Sequence, residues 1–300
     1  MQANKTVSLV LGSGGARGMA HIGVIEVLEE RGYVIKEIAG SSVGALVGGV
    51  YGSGKLPDFK DWICNLDRID VFSLMDFSFS SKGFIKGEKV FLELKKIVEE
   101  RLIEDLSLPF FCNAVDYKEG KERIFDSGSL FSAIRASASI PSLVQPMNIE
   151  GIEYIDGGVL NPLPLDLLRA SKKNIVVAVN LNSLSESYIS PPKKDHGGKK
   201  LIKMPAWMKD YQNKMTGYFE SDLTSSQEKS LGSLEIINRS FELLHDRVSN
   251  LSLEKYTADV LIQVNKKQAS TMSFYKAAEL IEIGRIKTTE ALDQLEDASD

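Results

Sequence analysis

Short apolar runs, glycine-rich turns and amphipathic stretches alternate along much of the chain. Residues 7–11 and 175–179 are β-rich apolar runs, which predict strands buried on both faces. Residues 19–28 carry apolar side chains at helical spacing, and Gly32 is a typical residue for ending that predicted helix. The pattern therefore indicates an α/β protein, in which turns between strands and helices are candidate sites for chemistry.

The pentapeptide Gly40-Ser41-Ser42-Val43-Gly44 lies between a predicted strand and a predicted buried helix. This strand–turn–helix setting is typical of a nucleophile elbow, where a strained turn exposes a serine hydroxyl. Only Ser42 has glycine two residues away on both sides, so Ser42 is the candidate nucleophile and Gly40 and Gly44 make room for the turn. The alternative is an ordinary glycine- and serine-rich connection.

A second glycine-rich loop, residues 12–18, follows the first predicted strand and precedes a helix. A dinucleotide-binding loop is one interpretation of this arrangement. It fails in two places, because the third glycine of that motif would fall at Arg17 and because the second strand ends in Gly40 rather than in an acidic residue.

The same loop is suited to holding negative charge during acyl transfer. The backbone N–H groups of Gly14, Gly15 and Ala16 are unobstructed at a predicted helix N-terminus, where the helix dipole favours an anion. We therefore predict an oxyanion hole there, with Gly18 supporting the loop. Arg17 is expected to hold the loop in shape or to add its own positive field, without direct chemistry, and the alternative is an ordinary surface or salt-bridge residue.

A third motif, Asp156-Gly157-Gly158, ends a predicted hairpin over residues 147–155. The two glycines leave the aspartate open to a neighbouring group. The alternative role for Asp156 is to complete a turn, or to cap a helix that we expect to begin at Pro162 and Pro164.

Composition narrows the classes of function. A net charge of −5 over 300 residues and a pI near 5.5 argue against a general nucleic-acid binder. Cys64 and Cys112 are too few for a disulfide scaffold and lack metal-ligand spacing, so a reducing compartment and inert buried thiols are expected, with no metal.

We find no apolar run long enough to cross a bilayer, and we therefore expect a cytoplasmic protein. Residues 193–214 contain seven lysines and two aspartates, a local charge of +5, interleaved with Trp207 and Tyr211. Such a segment suits peripheral contact with an anionic membrane at its inner face. A solvated insertion is the alternative.

The phenylalanines of residues 72–84 either line an acyl pocket or a lid, or belong to the core.

The oxyanion loop, the elbow and the Asp-Gly-Gly motif, in that order, resemble the patatin-like phospholipase family over roughly residues 5–182. The resemblance implies a three-layer α/β/α fold with a mostly parallel central sheet and a Ser-Asp dyad at the edge where the strands end. Ser42 would be the nucleophile, Asp156 would accept its proton, and the Gly14 and Gly15 amides would hold the oxyanion. It implies lipid ester substrates, and no cofactor.

Two alternatives remain open from the sequence. A triad would need a histidine base, and His245 has the required place in the chain order. A regulatory or acyl-binding protein of the same fold with little turnover is the other.

We expect a catalytic domain over residues 5–182, a polar and basic insertion over 183–230, and a C-terminal α/β extension over 231–300 that packs on the catalytic domain.

Overall fold

The computed structural model describes residues 5–80, 83–141, 143–169, 174–184, 187–189 and 233–298. The basic segment of residues 193–214 and most of the expected insertion lie outside the described residues, so membrane contact through that segment stays a prediction. The side chains of residues 77–80 and 83–85 are also outside the description.

Ten strands are described. They are β1 (Thr6–Leu11), β2 (Val34–Ser41), β3 (Phe77–Ser80), β4 (Gly83–Ile85), β5 (Phe110–Asp116), β6 (Lys121–Phe125), β7 (Met147–Ile149), β8 (Ile152–Asp156), β9 (Ile175–Ser183) and β10 (Val260–Asn265). β3 and β4 form a separate antiparallel hairpin, and the other eight strands form one mixed sheet in the order β10-β9-β1-β2-β5-β8-β7, with β6 also paired to β5.

Eight α-helices are described. They are α1 (Ala20–Glu30), α2 (Val43–Gly52), α3 (Leu56–Cys64), α4 (Arg68–Leu74), α5 (Glu88–Ile97), α6 (Leu130–Ser137), α7 (Ser233–Lys255) and α8 (Ala277–Asp297). Short 3-10 turns occur between them, including Gly15–Met19, which leads directly into α1.

The strands β10, β9, β1, β2 and β5 run parallel, and β1 at their centre is buried on both faces. Leu9 and Ile38 face a large core formed with α1, α2 and α8, whereas Val10 and Ala39 face a smaller core on the other side. The smaller core includes Leu163, Leu165 and Leu167 and the end of α7. The fold therefore has three layers with a mostly parallel sheet, as expected.

The strands β2 and β8 meet end to end beside β5. β6 pairs with β5 from Cys112 to Asp116 on one side. The other side of β5 is shared: β2 pairs with its first part, ending at Ser41 opposite Asn113, and β8 runs antiparallel along its second part, ending at Asp156 opposite Ala114. Ser41 and Asp156 lie opposite two consecutive residues of β5, Asn113 and Ala114. The C-terminal ends of β2 and β8 therefore face each other.

The last part of the chain completes this sheet. β10 pairs in parallel with β9, and α8 packs across α1. The two helices can approach this closely only because glycine stands at two contact positions. A Cβ at Gly23 would overlap the Ile281 carbonyl oxygen, and a Cβ at Gly284 would overlap the Ala20 carbonyl oxygen. Within the described residues, no helix combines the length and apolar character needed to span a bilayer.

Two local expectations were wrong. The helix predicted from Pro162 is only a 3-10 turn at Leu165–Leu167. Of the two cysteines, Cys112 is buried but Cys64 is exposed.

Candidate active site

Ser42 lies at the sharp turn between β2 and α2. Its backbone has φ 57° and ψ −119°, a conformation that costs a non-glycine residue about 1–3 kcal/mol. The flanking glycines permit the turn: a Cβ at Gly40 would lie 2.6 Å from the Gly44 carbonyl carbon, and a Cβ at Gly44 would overlap the Leu11 carbonyl oxygen. The turn is thus closely packed from both sides, as a nucleophile elbow requires.

The Ser42 hydroxyl donates a 2.6 Å hydrogen bond to Oδ2 of Asp156. The other carboxylate oxygen, Oδ1, accepts the Gly158 N–H at 2.7 Å. Both side chains are almost completely buried. Burial raises the pKa of Asp156 from 3.8 to about 7, although the hydrogen bonds from Ser42 and Gly158 oppose the rise. The carboxyl group is therefore poised to exchange a proton near neutral pH.

The C-terminal end of α6 supports both members of this pair. The Oγ of Ser137 accepts the N–H of Ser42 at 2.9 Å, and the carbonyl of Ser139 accepts the N–H of Asp156 at 3.0 Å. Arg135 holds Ser139 in turn, because its guanidinium donates to the Ser139 hydroxyl at 2.6 Å. One short segment thus fixes the backbones of the nucleophile and of its partner.

The turn after Asp156 is anchored by buried Asn113. Its Nδ2 donates to the carbonyl oxygens of Gly157 and Asn161 and to the carboxylate of Glu122. A Cβ at Gly157 would overlap the Asn113 carbonyl oxygen, which explains the glycine. Gly158 leaves room for Ser13 of the glycine-rich loop, since a Cβ there would lie 3.0 Å from the Ser13 Cβ.

The glycine-rich loop passes beside the first turn of α2. A Cβ at Gly18 would overlap the side chain of Val43, so the loop can approach the elbow only with glycine there. Within the part of the chain that the structure describes, the N–H groups of Gly14 and Gly15 have no hydrogen-bond partner. The N–H of Ala16 donates to the Thr271 carbonyl at 2.8 Å. The expectation that Ala16 supplies an oxyanion donor is therefore wrong in this structure.

Comparison with known proteins decides which family has this arrangement. A profile of the family described as patatin-like phospholipase matches residues 9–169, more than half of the chain. The chain belongs to the patatin-like phospholipase family.

Two relatives agree with this family, and one solved structure has a similar fold. An uncharacterized NTE family protein of Mycobacterium tuberculosis is 32% identical over 331 aligned positions, which cover 97% of this chain and 92% of the relative. Lysophospholipase NTE1 of Mycosarcoma maydis is 33% identical over 190 positions, but these cover 61% of this chain and only 10% of that protein. VipD from Legionella pneumophila is similar in fold alone, with a TM-score of 0.51 and 15% identity over 97% of this chain and 67% of VipD.

In this patatin-like chain, Arg17 is a structural clamp on the glycine-rich loop. The buried guanidinium donates to the carbonyl oxygens of Leu181 and Ala269 and to Oδ1 of Asn182. Asn182 also donates to the Ser13 carbonyl at 2.8 Å. The expectation that Arg17 holds the loop in shape agrees with these contacts, which tie the loop to strand β9 and to the segment after β10.

Neither of the two histidines that the structure describes replaces the Asp156 carboxylate as the hydrogen-bond partner of Ser42. Ser42 donates directly to Asp156, whereas His245 is a partly buried residue of α7. His21 is fully buried and its Nε2 lies 2.9 Å from the Gly12 carbonyl oxygen. Burial lowers the pKa of His21 to about 4, so the ring is neutral at pH 7 and donates to that carbonyl.

Among the described residues, no three potential ligand side chains are grouped so that they could hold a metal ion.

Proposed function

We propose that the chain is a serine lipid acyl hydrolase that cleaves carboxylic ester bonds through Ser42 and Asp156. The observation that carries the proposal is the buried 2.6 Å hydrogen bond from the hydroxyl of Ser42 to the carboxylate of Asp156. A hydroxyl that already donates to a carboxylate can lose its proton along that bond as it attacks. Membership of the patatin-like phospholipase family supports a lipid substrate.

In the first step, Ser42 Oγ attacks the carbonyl carbon of the ester and its proton passes to Oδ2 of Asp156. The oxyanion that forms is held by the N–H groups of Gly14 and Gly15. The tetrahedral intermediate then collapses, the carbon–oxygen bond to the alcohol part of the lipid breaks, and Asp156 gives that proton to the leaving oxygen. The product is an acyl ester on Ser42.

In the second step, a water molecule attacks the acyl carbon while Asp156 takes one of its protons. Collapse of this intermediate releases the fatty acid and returns the proton to Ser42 Oγ. Asp156 must be ionised at the start of each step. Its pKa of about 7 makes it a stronger base than an exposed aspartate, and leaves much of it ionised at neutral pH.

Phospholipids and lysophospholipids are the substrate classes that we propose. The name of the lysophospholipase NTE1 from Mycosarcoma maydis supports a lysophospholipid, although this chain aligns with a small part of that protein. Phospholipase A activity on intact phospholipids fits the same two steps.

A fluorophosphonate probe tests the proposal without a choice of lipid. The purified full-length chain is treated with the probe, and the modified residue is mapped by mass spectrometry. We expect an adduct on Ser42, none in Ser42→Ala, and a rate of labelling reduced at least a hundredfold in Asp156→Asn. Ser41→Ala is the matched control, because Ser41 is buried beside Ser42 and has no part in the proposed steps.

The second candidate is a regulatory or acyl-binding protein of the same fold with little turnover. A folded chain that gives no adduct, with and without lipid vesicles present, would refute the hydrolase and favour this candidate. Unchanged labelling and esterase activity in both Ser42→Ala and Asp156→Asn would refute the dyad.

A further inference from the structure

The side chain of Ser13 is a buried hydroxyl that the proposed steps do not use. Ser13 is only 2% exposed, and within the part of the chain that the structure describes its Oγ has no hydrogen-bond partner. A buried polar atom without a partner costs about 1–3 kcal/mol, so such an atom calls for a bound water molecule or a chemical role. The surroundings of Ser13 offer both.

The Ser13 hydroxyl faces the same small space as the Asp156 carboxylate. A Cβ at Gly158 would lie 3.1 Å from Ser13 Oγ and 2.9 Å from Asp156 Oδ1, so the two oxygens are at most about 6 Å apart. No direct hydrogen bond joins them. Two hydrogen bonds of about 2.8 Å that meet at one water molecule span up to about 5.6 Å. The gap between the two oxygens is therefore of the size that a single water molecule bridges.

The backbone of Ser13 is fixed from both sides. Its N–H donates to the Pro162 carbonyl at 2.8 Å, and its carbonyl accepts from Nδ2 of Asn182 at 2.8 Å. The next two residues are Gly14 and Gly15, the proposed oxyanion donors, so the hydroxyl and those donors belong to one anchored loop. A water molecule held by Ser13 therefore keeps a constant position relative to the carbonyl carbon of the bound ester. Gly14 is partly exposed, so the loop reaches solvent directly beside Ser13.

We propose that Ser13 Oγ holds and aims the water molecule that hydrolyses the acyl ester on Ser42. This inference rests on the proposed function. One hydrogen of the water points to the Asp156 carboxylate and the other to Ser13 Oγ, which leaves a lone pair of the water oxygen for the acyl carbon. As the oxygen–carbon bond forms, the first proton passes to Asp156. Collapse breaks the bond from the acyl carbon to Ser42 Oγ, Asp156 returns its proton to that oxygen, and the second hydrogen leaves with the fatty acid.

The same geometry keeps Ser13 out of the first step. Ser42 donates to Oδ2 of Asp156, whereas Ser13 and the Gly158 N–H lie on the Oδ1 side of the carboxylate. The hydroxyl of Ser13 therefore does not lie between the nucleophile and its base. Removing it should slow the release of the acyl group and leave its formation unchanged. The kinetic signature is that kcat and KM fall together while kcat/KM stays the same.

Hydrolysis of p-nitrophenyl butyrate by the full-length protein tests this, because the good leaving group makes formation of the acyl ester fast. We expect Ser13→Ala to lower kcat and KM together, each about tenfold, the effect of losing one hydrogen bond in the second transition state. Rapid mixing should show a burst of p-nitrophenol equal to the protein concentration. Mass spectrometry of acid-quenched samples should find the butyryl group on Ser42. The rate of fluorophosphonate labelling should equal that of the parent, because labelling needs no second step.

Ser41→Ala is the matched control. It removes another buried hydroxyl that has no hydrogen-bond partner among the described residues, but from strand β2 rather than from the glycine-rich loop. Its kcat and KM should equal those of the parent. Circular dichroism checks that each variant is folded. If Ser13→Ala does not fold, Ser13→Cys takes its place, because a thiol forms only weak hydrogen bonds and should lower kcat and KM in the same way.

The outcomes distinguish this inference from the function on which it rests. Equal kcat values in the parent and in a folded Ser13 variant overturn the role of Ser13, while ester hydrolysis stands. A fall in kcat/KM and in the rate of labelling also overturns it, because Ser13 would then act in the first step. The absence of hydrolysis by the parent, together with no adduct on Ser42, overturns the proposed function itself.

Discussion

Replacing Asp156 with asparagine should make the protein more stable at the same time as it abolishes turnover. Asparagine has nearly the same shape, and its Oδ1 can still accept the Gly158 N–H that now bonds to Asp156. Its Nδ2 can donate to the Ser42 oxygen in place of the hydrogen bond that Ser42 now donates. What the substitution removes is a buried negative charge.

The size of the effect follows from the pKa of Asp156, which burial raises from 3.8 to about 7. The folded protein therefore binds this proton more tightly than the unfolded chain does. Between about pH 4 and pH 7 the folded state holds the extra proton, so stability falls as pH rises, by about 1.4 kcal/mol per pH unit. Above pH 7 the full cost of the ionised carboxylate is present, about 4 kcal/mol. The asparagine side chain of the variant does not titrate, so the variant avoids this cost.

Urea unfolding at several pH values measures the difference. The free energy of unfolding of Asp156→Asn should exceed that of the parent by about 1.5 kcal/mol at pH 5 and by about 4 kcal/mol at pH 8. Asp58→Asn serves as the control, because the Asp58 side chain is 61% exposed. A gain that is the same at both pH values, or an Asp156→Asn variant that is less stable than the parent at pH 8, would refute the account of Asp156 as a buried, costly base.

Three further predictions concern the same site. First, kcat/KM for a soluble ester should rise about tenfold per pH unit below pH 7 and level off above it, because Asp156 must be ionised; a pH profile that is flat from pH 5 to 8 contradicts its role as base. Second, Ser137→Ala should lower kcat about tenfold with little change in KM, because the Ser42 N–H loses a hydrogen bond worth about 1–2 kcal/mol, and Ser137→Thr should restore most of the rate; equal kcat values in all three proteins would contradict this. Third, Arg17→Lys should lower the free energy of unfolding by about 2–3 kcal/mol, measured by urea unfolding, since one ammonium cannot match the bonds of the guanidinium to three acceptors; Lys5→Arg, an exposed exchange of the same two residue types, should have little effect.

The parts of the fold that could be predicted from the sequence are those determined by neighbours in the chain. The strand before Ser42 and the helix after it follow from apolar runs and from two glycines, which act over short distances along the chain. The glycine-rich loop could be located for the same reason. The order of the strands and the pairing of β8 with β5 depend on contacts between distant segments, which no local pattern specifies.

The residues that support the site could not be predicted from the sequence, for the same reason. Ser137 lies 95 residues after Ser42, and nothing around it in the sequence distinguishes it from other helical serines. Asn113 and Asn182 act on turns far from them in the chain. The assignment of Ala16 failed because its N–H bonds to a carbonyl at Thr271, a partner that only the folded chain brings near.

Because β2 and β8 meet end to end, Ser42 and Asp156 come together only when both strands are correctly paired. Each of the two strands pairs with its own part of β5, so the register of both on β5 determines how far Ser42 lies from Asp156. A slip of either strand by one residue would shift its end by about 3.4 Å and turn its side chains to the opposite face of the sheet. A misfolded chain with that slip could still be compact, but its serine would have no carboxylate beside it. In the proposed mechanism, partly folded forms would therefore have no esterase activity, because Ser42 would become reactive only when three separate segments of the chain have aligned.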